Sequence, residues 1–303
     1  MHIDYSINPL QWIATEDGWI DPSLAPTVDH QFEVIAGAGF ERVQPAVPAD
    51  MSVADYRSAL DRHGLTAGAG YFVTRLPFEP LEMSTAERKA VIGGSRTAAR
   101  QLAEVGSALT FLGLGMTRNA GRVLQAGGGH NFDQRRLELV RDVVEEVAAA
   151  MIDEAGLVVA LHPHAGTWIE TEEETRYILE STDESVLGFG PDIGHLYWAG
   201  ADPRKLISDF GSRLQGIHLK DYSKELADKA RNEGWSYQKT VLAGVWREPG
   251  TGSENLSEIL SAIPSDWTGE VVLEVDRGAV ATPELSIQIC GEWMKNNRTI
   301  SVA

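Results

Sequence analysis

The stretch Leu157–Thr167, LVVALHPHAGT, is an apolar run that ends in two histidines, His162 and His164. Three later stretches have the same form: PDIGH (Pro191–His195), GIHLKD (Gly216–Asp221) and VVLEVD (Val271–Asp276). In each, a His, Asp or Glu appears where the apolar residues of a buried strand end. If these strands are parallel and adjacent, four side chains converge on one spot: His162, Asp192, His218 and Glu274.

Strand-like and helix-like segments alternate along the whole chain, which is typical of parallel β/α units. The predicted strands are His2–Ile7, Arg42–Val47, Thr66–Phe72, Leu109–Gly113, Val158–His162, Val186–Phe189, Leu214–Lys220 and Val271–Val275. The predicted helices are Val28–Ala38, Val53–His63, Thr85–Val105, Asp133–Ala155, Glu172–Ser181, Pro203–Phe210, Leu256–Ala262 and Pro283–Lys295. Eight of each predicts the α/β class and one (β/α)8 TIM barrel domain over residues 1–303.

Local residues support several of these boundaries. Ser52 and Thr171 precede helical runs as N-caps, and Thr171 with Glu174 fits a capping box. Gly39, Gly64 and Gly156 follow helices, where a left-handed residue is favoured. The segment of about 221–253 is predicted to be a long active-site loop, because loops of that length in a compact domain are usually functional.

Composition limits the function classes. The 303 residues are 43% hydrophobic and carry a net charge of −18, which argues against nucleic acid or an anionic membrane as a partner. The N-terminus does not resemble a secretory signal, and no stretch approaches 18 apolar residues, so we expect a cytoplasmic protein. Cys290 is the single cysteine, which excludes an internal disulfide, and we expect it to pack inside a helix.

Active sites of such barrels lie at the C-terminal ends of the strands, where the four converging side chains are predicted. Two imidazoles with two carboxylates form a mixed nitrogen and oxygen set, which suits Mn, Co, Zn or Fe(II) better than Ca or Mg. A buried, ionised Glu274 among apolar neighbours also needs a partner. We therefore predict one divalent metal ion, manganese first, with Co, Zn, Mg and Fe as alternatives.

Five stretches carry a family resemblance: NPLQW, HPHAGTWIETEEE, DIGHLYWAG, IHLKD and VWREPGTG. They resemble the xylose isomerase-like TIM-barrel superfamily, which includes sugar phosphate isomerases/epimerases and AP endonuclease family 2, and most of all its inosose dehydratases. The resemblance implies a single divalent metal held by residues of the last four strands. Asp192, His218 and Glu274 match three of the family's ligand positions, and the first falls on His162.

That first position discriminates between reactions. Sugar epimerases and ketose isomerases of the superfamily usually have a Glu there, which doubles as a base opposite the last Glu. An imidazole at His162 disfavours proton transfer on two faces and favours abstraction on one face followed by elimination. We therefore predict a carbon–oxygen lyase that dehydrates a keto-cyclitol, such as an inosose, or a keto-sugar through a metal-stabilised enediolate.

The acid and base are left open at this stage. His164, His195 and Glu274 are candidates for the base that removes the α-proton, and His195 or Lys220 for the acid that protonates the departing hydroxide. Lys220 is equally consistent with neutralising the enediolate or with pairing with Asp221 at the surface.

Substrate contacts are predicted from position alone. Trp12, Trp168 and Trp246, together with Tyr197 and Trp198, lie on predicted strand-end loops, where aromatic rings could stack on a sugar. Asn8 and Gln11 are candidates for contacts with substrate hydroxyls. Asp276 shares a strand face with Glu274, as a partner of a ligand or an acceptor for a hydroxyl.

Three other functions share much of this pattern. The first is a lyase or deglycosylating enzyme for 3-keto-glycosides, the second a ketose isomerase or 3-epimerase, and the third a non-catalytic sugar-binding barrel. These three functions and the predicted lyase all require a small-molecule carbohydrate as partner. Whether the protein forms a homo-oligomer is left open.

Overall fold

Parallel strands and helices alternate along residues 2–298, the part of the chain that this computed structural model describes. The strands are β1 (His2–Asn8), β2 (Arg42–Val43), β3 (Thr66–Ala67), β4 (Gly70–Thr74), β5 (Leu109–Leu114), β6 (Val158–Leu161), β7 (Gly188–Phe189), β8 (Gly216–Leu219), β9 (Asp221–Tyr222), β10 (Trp246–Arg247) and β11 (Thr268–Glu274). The helices are α1 (Val28–Gly37), α2 (Val53–Arg62), α3 (Thr85–Val105), α4 (Gly121–Leu124), α5 (Gln134–Ala155), α6 (Glu172–Ser181), α7 (Ile193–Trp198), α8 (Pro203–Asp209), α9 (Lys224–Glu233), α10 (Tyr237–Leu242), α11 (Leu256–Ser261) and α12 (Pro283–Asn297).

Two parallel sheets together form the wall of a barrel. One has the order β3-β2-β1-β11-β8 and the other β4-β5-β6-β7. β3 and β4 are the two halves of one predicted strand, interrupted at Gly68 and Ala69, so the sheets meet there. At the other seam, parallel bridges join Phe189 to Leu214 and Asp192 to His218. With β3 and β4 counted as one strand, the predicted eight-stranded (β/α) barrel is confirmed.

The pairing of the first and last strands positions part of the site. β1 and β11 run in parallel register from His2 with Thr268 to Asn8 with Glu274. Parallel strands present their carboxyl ends at the same edge of a sheet. Asn8 and Glu274 therefore reach the C-terminal mouth of the barrel side by side.

The predicted helix boundaries rest on local chemistry that the structure shows. The hydroxyls of Ser52 and Thr171 accept hydrogen bonds from the backbone N–H groups three residues later, at the starts of α2 and α6. The Glu174 carboxylate completes the capping box with Thr171. The three predicted helix-ending glycines have φ values of 95°, 66° and 67°, in the left-handed region: Gly39, Gly64 and Gly156.

The core lies between the barrel and its helices. The apolar stripe of α5 is buried, with Val140, Val144 and Val147 fully inaccessible to solvent. Inside the barrel, Phe111 is also fully buried and packs edge-on against the His218 ring at a centroid distance of 4.3 Å. This apolar floor closes the barrel beneath the predicted ligands.

The segment predicted as a long loop is largely ordered secondary structure. It contains α9 and α10, and β9 pairs with β10 in an antiparallel ladder. Sequence reasoning missed these elements because they lie outside the repeating β/α pattern, and β9, β10 and α10 are also short. The segment nevertheless contributes to the site, because Tyr237 and Trp246 turn inward and are buried.

Two further expectations concern burial and membranes. Cys290 is fully buried in α12, as predicted, and burial raises the pKa of its thiol. Among residues 2–298, every helix is too short or too polar to cross a lipid bilayer.

Candidate metal and active site

Three of the predicted ligands form a compact group at the ends of β6, β7 and β8. Donor atoms of His162, Asp192 and His218 all lie within 4.8 Å of one another, and His162 Nε2 is 3.7 Å from Asp192 Oδ2. All three side chains are buried. A transition-metal ion with ligand bonds of about 2.0–2.2 Å separates opposite donors by at most about 4.4 Å. The observed spacing fits one such ion after small shifts.

The imidazole orientations also fit a metal ion. His162 Nδ1 lies 3.2 Å from the carbonyl oxygen of Gly190, which places its proton on Nδ1 and leaves the Nε2 lone pair free. His218 Nδ1 lies 2.8 Å from Glu274 Oε2, and its buried Nε2 has no hydrogen-bond partner among the described residues. A buried nitrogen without a partner is unfavourable, and a carboxylate or carbonyl behind the imidazole is common in metal sites. These residues therefore suit a divalent ion.

Glu274 lies beside this group, with both of its oxygens engaged. Oε2 accepts a hydrogen bond of 2.7 Å from Asn8 Nδ2 and faces His218, and Oε1 lies 2.5 Å from Lys220 Nζ. Burial alone would raise its pKa, but the Lys220 ammonium and the His218 imidazole hold the pKa of Glu274 down at about 2. The structure thus brings the four predicted ligands together and places Glu274 to orient His218. Its direct ligation of an ion stays a prediction.

Asp192 connects the metal group to helix α7. Asp192 is the N-cap residue of that helix, and its Oδ1 accepts a hydrogen bond of 3.0 Å from the backbone N–H of His195. Its Oδ2 faces His162 and lies 3.2 Å from Lys220 Nζ. Burial raises the pKa of Asp192 to about 6 against the opposing effect of the Lys220 ammonium.

Lys220 is a fully buried cation at the centre of the site. Besides its contacts with Asp192 and Glu274, its Nζ lies 2.7 Å from Asp276 Oδ1 and 3.1 Å from His195 Nε2. Burial acts to lower its pKa, but the three carboxylates hold the pKa of Lys220 well above its usual value. Lys220 therefore keeps its positive charge.

The alternative in which Lys220 pairs with Asp221 at the surface is wrong. Asp221 is itself fully buried, and its Oδ2 accepts hydrogen bonds from the backbone N–H groups of Gly250 and Gly252, each at 2.9 Å. Along a strand, consecutive side chains point to opposite faces, which separates these two neighbours. Asp221 orders the loop that follows β10.

A second cluster of titratable groups lies next to the first. Donor atoms of His164, His195 and Asp276 also lie within 4.8 Å of one another, and the two imidazole rings are 3.5 Å apart between centroids. His164 Nδ1 donates to the Ala165 carbonyl oxygen at 2.8 Å, so its Nε2 carries the lone pair. Burial lowers the pKa of His164 to about 4. This cluster is already in contact with the Lys220 ammonium.

A cavity of about 680 Å³ opens beside the second cluster, and His162, Asp192 and His218 are not among its lining residues. Four predicted site residues line it: Asn8, His164, Glu274 and Asp276. His195 and Lys220 are fully buried and do not belong to its lining, so they lie behind the groups that do. His164 and the two carboxylates are therefore accessible from the cavity, whereas His195 and Lys220 are not.

The predicted tryptophan contacts do not belong to this cavity. Trp12 Nε1 donates to Glu284 Oε1 at 2.8 Å, which ties the first loop to α12. Trp168 lies against the guanidinium group of Arg136, 4.2 Å from the ring centroid. Trp246 is buried below the site, where its ring packs 4.7 Å from that of His195. We therefore correct these three predictions: the indoles pack within the protein.

Several cavity residues were not predicted. Tyr237 donates from its hydroxyl to Asp276 Oδ2 at 3.2 Å, and Tyr71 lies edge-on to His162 at 5.0 Å between ring centroids. The lining also contains Gln44, Arg75, Arg118 and Arg277. Arg75 follows β4 and Arg277 follows Asp276 after β11, so the strand-end rule that identified the ligands could have identified them too.

Comparisons with known proteins agree with the barrel fold. The family described as xylose isomerase-like TIM barrel matches residues 32–296. Inosose dehydratase of Clostridium botulinum (strain Alaska E43 / Type E3) is 23% identical over 305 residues, covering 98% of each chain. The crystal structure of the IOLI protein with a bound zinc atom has a TM-score of 0.68 at 15% identity, over 97% of both chains. The probable 3-DHS dehydratase AsbF of Bacillus anthracis has a TM-score of 0.66 at 16% identity, over 97% of this chain and 100% of its own.

Proposed function

The chain belongs to the xylose isomerase-like TIM barrel family, and from this membership we propose that it is a divalent-metal-dependent carbon–oxygen lyase. Its reaction is the dehydration of a keto-cyclitol or keto-sugar. Full-length relatives named inosose dehydratase support this class of reaction. The observation that supports the proposal is that His164, whose pKa burial lowers to about 4, lines a cavity beside a buried group of side chains that could hold a metal ion.

The residues that would hold the ion are His162, Asp192 and His218, with Glu274 behind His218. A divalent ion there would supply Lewis acidity, which polarises a ketone and makes the neighbouring C–H bond acidic. The mixed donor set favours manganese, with Co, Zn, Mg and Fe as alternatives.

His164 is the proposed base. It lines the cavity, and its Nδ1–H is held by the Ala165 carbonyl oxygen, so Nε2 is the atom that accepts the α-proton. The ring of His195 lies against it, tilted by 31° at a centroid distance of 3.5 Å, and restricts its rotation. His195 itself is covered, so its role is to position His164.

The departing hydroxide needs a proton to leave as water. Tyr237 lines the cavity and its O–H group contacts Asp276, which in turn contacts the Lys220 ammonium at 2.7 Å. Tyr237 is the proposed donor, and the Lys220 ammonium offsets part of the negative charge at Asp276. The net reaction removes one proton and one hydroxide and leaves a conjugated enone.

Elimination is favoured over epimerisation by the distribution of bases. Epimerisation needs a second base on the opposite face of the substrate. The cavity-lining carboxylates Glu274 and Asp276 are both within 2.7 Å of Lys220 Nζ, which makes them weak bases. The His162 imidazole faces Asp192 and His218, the other two side chains of the proposed metal site.

The experiment is a substrate panel with metal varied. Purified protein is treated with EDTA and reloaded with Mn²⁺, Co²⁺, Zn²⁺ or Mg²⁺. It is then mixed with scyllo-inosose, a free ketose or a 3-keto-glycoside in D₂O. Enone absorbance reports elimination, and deuterium in recovered substrate reports reversible proton abstraction. His164→Gln is compared with His63→Gln, whose ring lies 3.1 Å from Asp29 on another face.

Each outcome decides between functions. Metal-dependent enone formation that is lost in His164→Gln and kept in His63→Gln supports the proposal. Deuterium incorporation without enone assigns an isomerase or epimerase, and release of an aglycone assigns the 3-keto-glycoside lyase. Metal-free protein that gains no thermal stability from any of the four ions and turns over no substrate identifies a non-catalytic barrel.

A further inference from the structure

The outer wall of the cavity is cationic, although the chain carries a net charge of −18. Three arginines belong to the lining: Arg75, Arg118 and Arg277. The acidic residues of the lining are Glu274 and Asp276, and both are in contact with the Lys220 ammonium. The Lys220 ammonium offsets only part of the negative charge of these two side chains and Asp192, which together carry −3 + 1 = −2 when ionised and would reach zero with a bound divalent ion. The arginines of the wall lie outside this cluster.

The partners of these arginines show which guanidinium groups are free to bind. Arg75 makes no hydrogen bond or ion pair with any residue in the described range 2–298, and Arg277 donates to the carbonyl oxygen of Thr15 at 2.7 Å. Arg118 pairs with Asp17 at 3.0 Å and lies over the Trp19 ring. Among residues 2–298, neither Arg75 nor Arg277 therefore forms an ion pair with a carboxylate, although the chain has 44 acidic and 26 basic residues.

A buried polar side chain in the same cavity also lacks a partner. Gln44 is 4% exposed, and its Oε1 has no hydrogen-bond partner among the described residues. A buried amide atom without a partner is unfavourable, and exchange of the amide oxygen and nitrogen positions leaves the site polar in either case. A hydroxyl of a bound ring in this cavity would satisfy that amide.

We propose that the substrate carries an anionic substituent, a carboxylate or a phosphate, which Arg75 and Arg277 bind at the wall of this cavity. The inference rests on the proposed function and narrows its substrate class to acidic keto-cyclitols or keto-sugars. Guanidinium groups bind carboxylate and phosphate through paired, charge-assisted hydrogen bonds. The hydroxyl-bearing ring of the substrate faces Gln44 and the carboxylates of Glu274 and Asp276. A neutral inosose leaves both arginines without a counter-charge.

The test measures binding of compounds that cannot react. Isothermal titration calorimetry, at low and at high salt, compares three ring compounds with similar hydroxyls: quinate (carboxylate), myo-inositol 1-phosphate and neutral myo-inositol. Each is measured on EDTA-treated and on Mn²⁺-loaded protein. The variants are Arg75→Gln, Arg277→Gln and, as a matched control, Arg57→Gln, an exposed arginine whose guanidinium contacts only the Glu104 carbonyl oxygen.

The expected result is tighter binding of one anionic ring than of myo-inositol by at least about tenfold, which is about 1.4 kcal/mol. This preference is lost in Arg75→Gln and Arg277→Gln, is kept in Arg57→Gln and weakens with salt. Preference for quinate identifies a carboxylate, and preference for the inositol phosphate identifies a phosphate. Equal or tighter binding of myo-inositol, no binding of any compound at millimolar concentration, or arginine variants that affect all three alike overturns the inference.

Turnover separates this inference from the proposed function. Dehydration of scyllo-inosose without a preference for anionic rings refutes the anionic substrate and keeps the lyase. Arginine-dependent binding of quinate or the inositol phosphate, without elimination from any ketone of the panel, keeps the anion site and refutes the lyase.

Discussion

Replacement of Lys220 by Met tests how the site is held together. The three carboxylates around the ammonium, those of Asp192, Glu274 and Asp276, carry −3 when ionised, and Lys220 brings the cluster to −3 + 1 = −2. Breaking a buried charge cluster by removing one partner destabilises a protein by about 3–5 kcal/mol. With a shift of about 2 °C per kcal/mol for a chain of this size, the melting temperature should fall by roughly 6–10 °C.

The assay is thermal unfolding followed by circular dichroism in EDTA at pH 7. Lys224→Met is the matched control, because Lys224 is exposed and pairs only with Asp228 one helical turn away. Such a surface pair contributes about 0.3–0.5 kcal/mol, so the control should melt within about 1 °C of the wild type. A divalent ion brings the wild-type cluster to −2 + 2 = 0. Mn²⁺ should therefore stabilise Lys220→Met more than the wild type, whose cluster already contains one cation.

The effect depends on pH in a defined direction. In the wild type the pKa of Glu274 is held at about 2, below its ordinary value of 4.5, so its ionisation stabilises the fold above pH 4.5. This contribution is lost as the pH falls towards 2. The gap between wild type and Lys220→Met should therefore be widest near neutral pH and narrow below about pH 4.5. A variant that melts within about 2 °C of the wild type at pH 7 in EDTA would refute the proposed charge cluster.

Three further variants test other parts of the structure. His218→Ala should lower Mn²⁺ affinity by more than about 100-fold in equilibrium dialysis, because loss of a ligand has a larger effect than the 10–100-fold loss typical of an outer partner. The variant should also lose turnover while its circular dichroism spectrum stays unchanged. Retained turnover contradicts the proposed metal site. Asn8→Ala removes the donor that fixes Glu274 and should weaken Mn²⁺ binding about tenfold by the same assay, so an unchanged affinity argues against its positioning role. Burial raises the pKa of Glu170 to about 7, so its carboxylate is ionised only above that pH, where it accepts hydrogen bonds from the backbone N–H groups of Gly127, Gly129 and Gly166. Glu170→Gln places an amide among these buried donors and should destabilise the protein by about 1–3 kcal/mol in urea unfolding at pH 8, whereas the exposed Glu173→Gln on α6 should change it by less than about 0.5 kcal/mol; equal effects would show that these N–H groups do not need a carboxylate.

The convergence of the ligands could be predicted because it follows from strand direction. His162, His218 and Glu274 lie at or near the ends of parallel barrel strands, and any such strands present their ends at one edge. The same rule placed Asp192 there. It needs no knowledge of side-chain packing, and for that reason it held over four distant parts of the chain.

The tryptophans could not be predicted in this way, because the direction of a loop side chain depends on distant packing. Trp12 turns towards Glu284, which is 272 residues away along the chain. Trp168 turns towards Arg136, on a helix that precedes its own strand. No local pattern encodes either contact. The burial of Lys220 could not be predicted either, because it depends on three carboxylates that come from two other parts of the barrel and meet at its ammonium group.

The pairing of β1 with β11 has a consequence for biosynthesis. Asn8 and Glu274 stand side by side but are 266 residues apart in the chain, so the first strand is synthesised long before its neighbour exists. Until then its backbone N–H and C=O groups have no partner on that side, and such an unpaired edge can associate with other chains. A functional pocket therefore cannot assemble before β11 has been synthesised. A prematurely terminated chain that lacks the last strand should be inactive and prone to aggregation, rather than partly active.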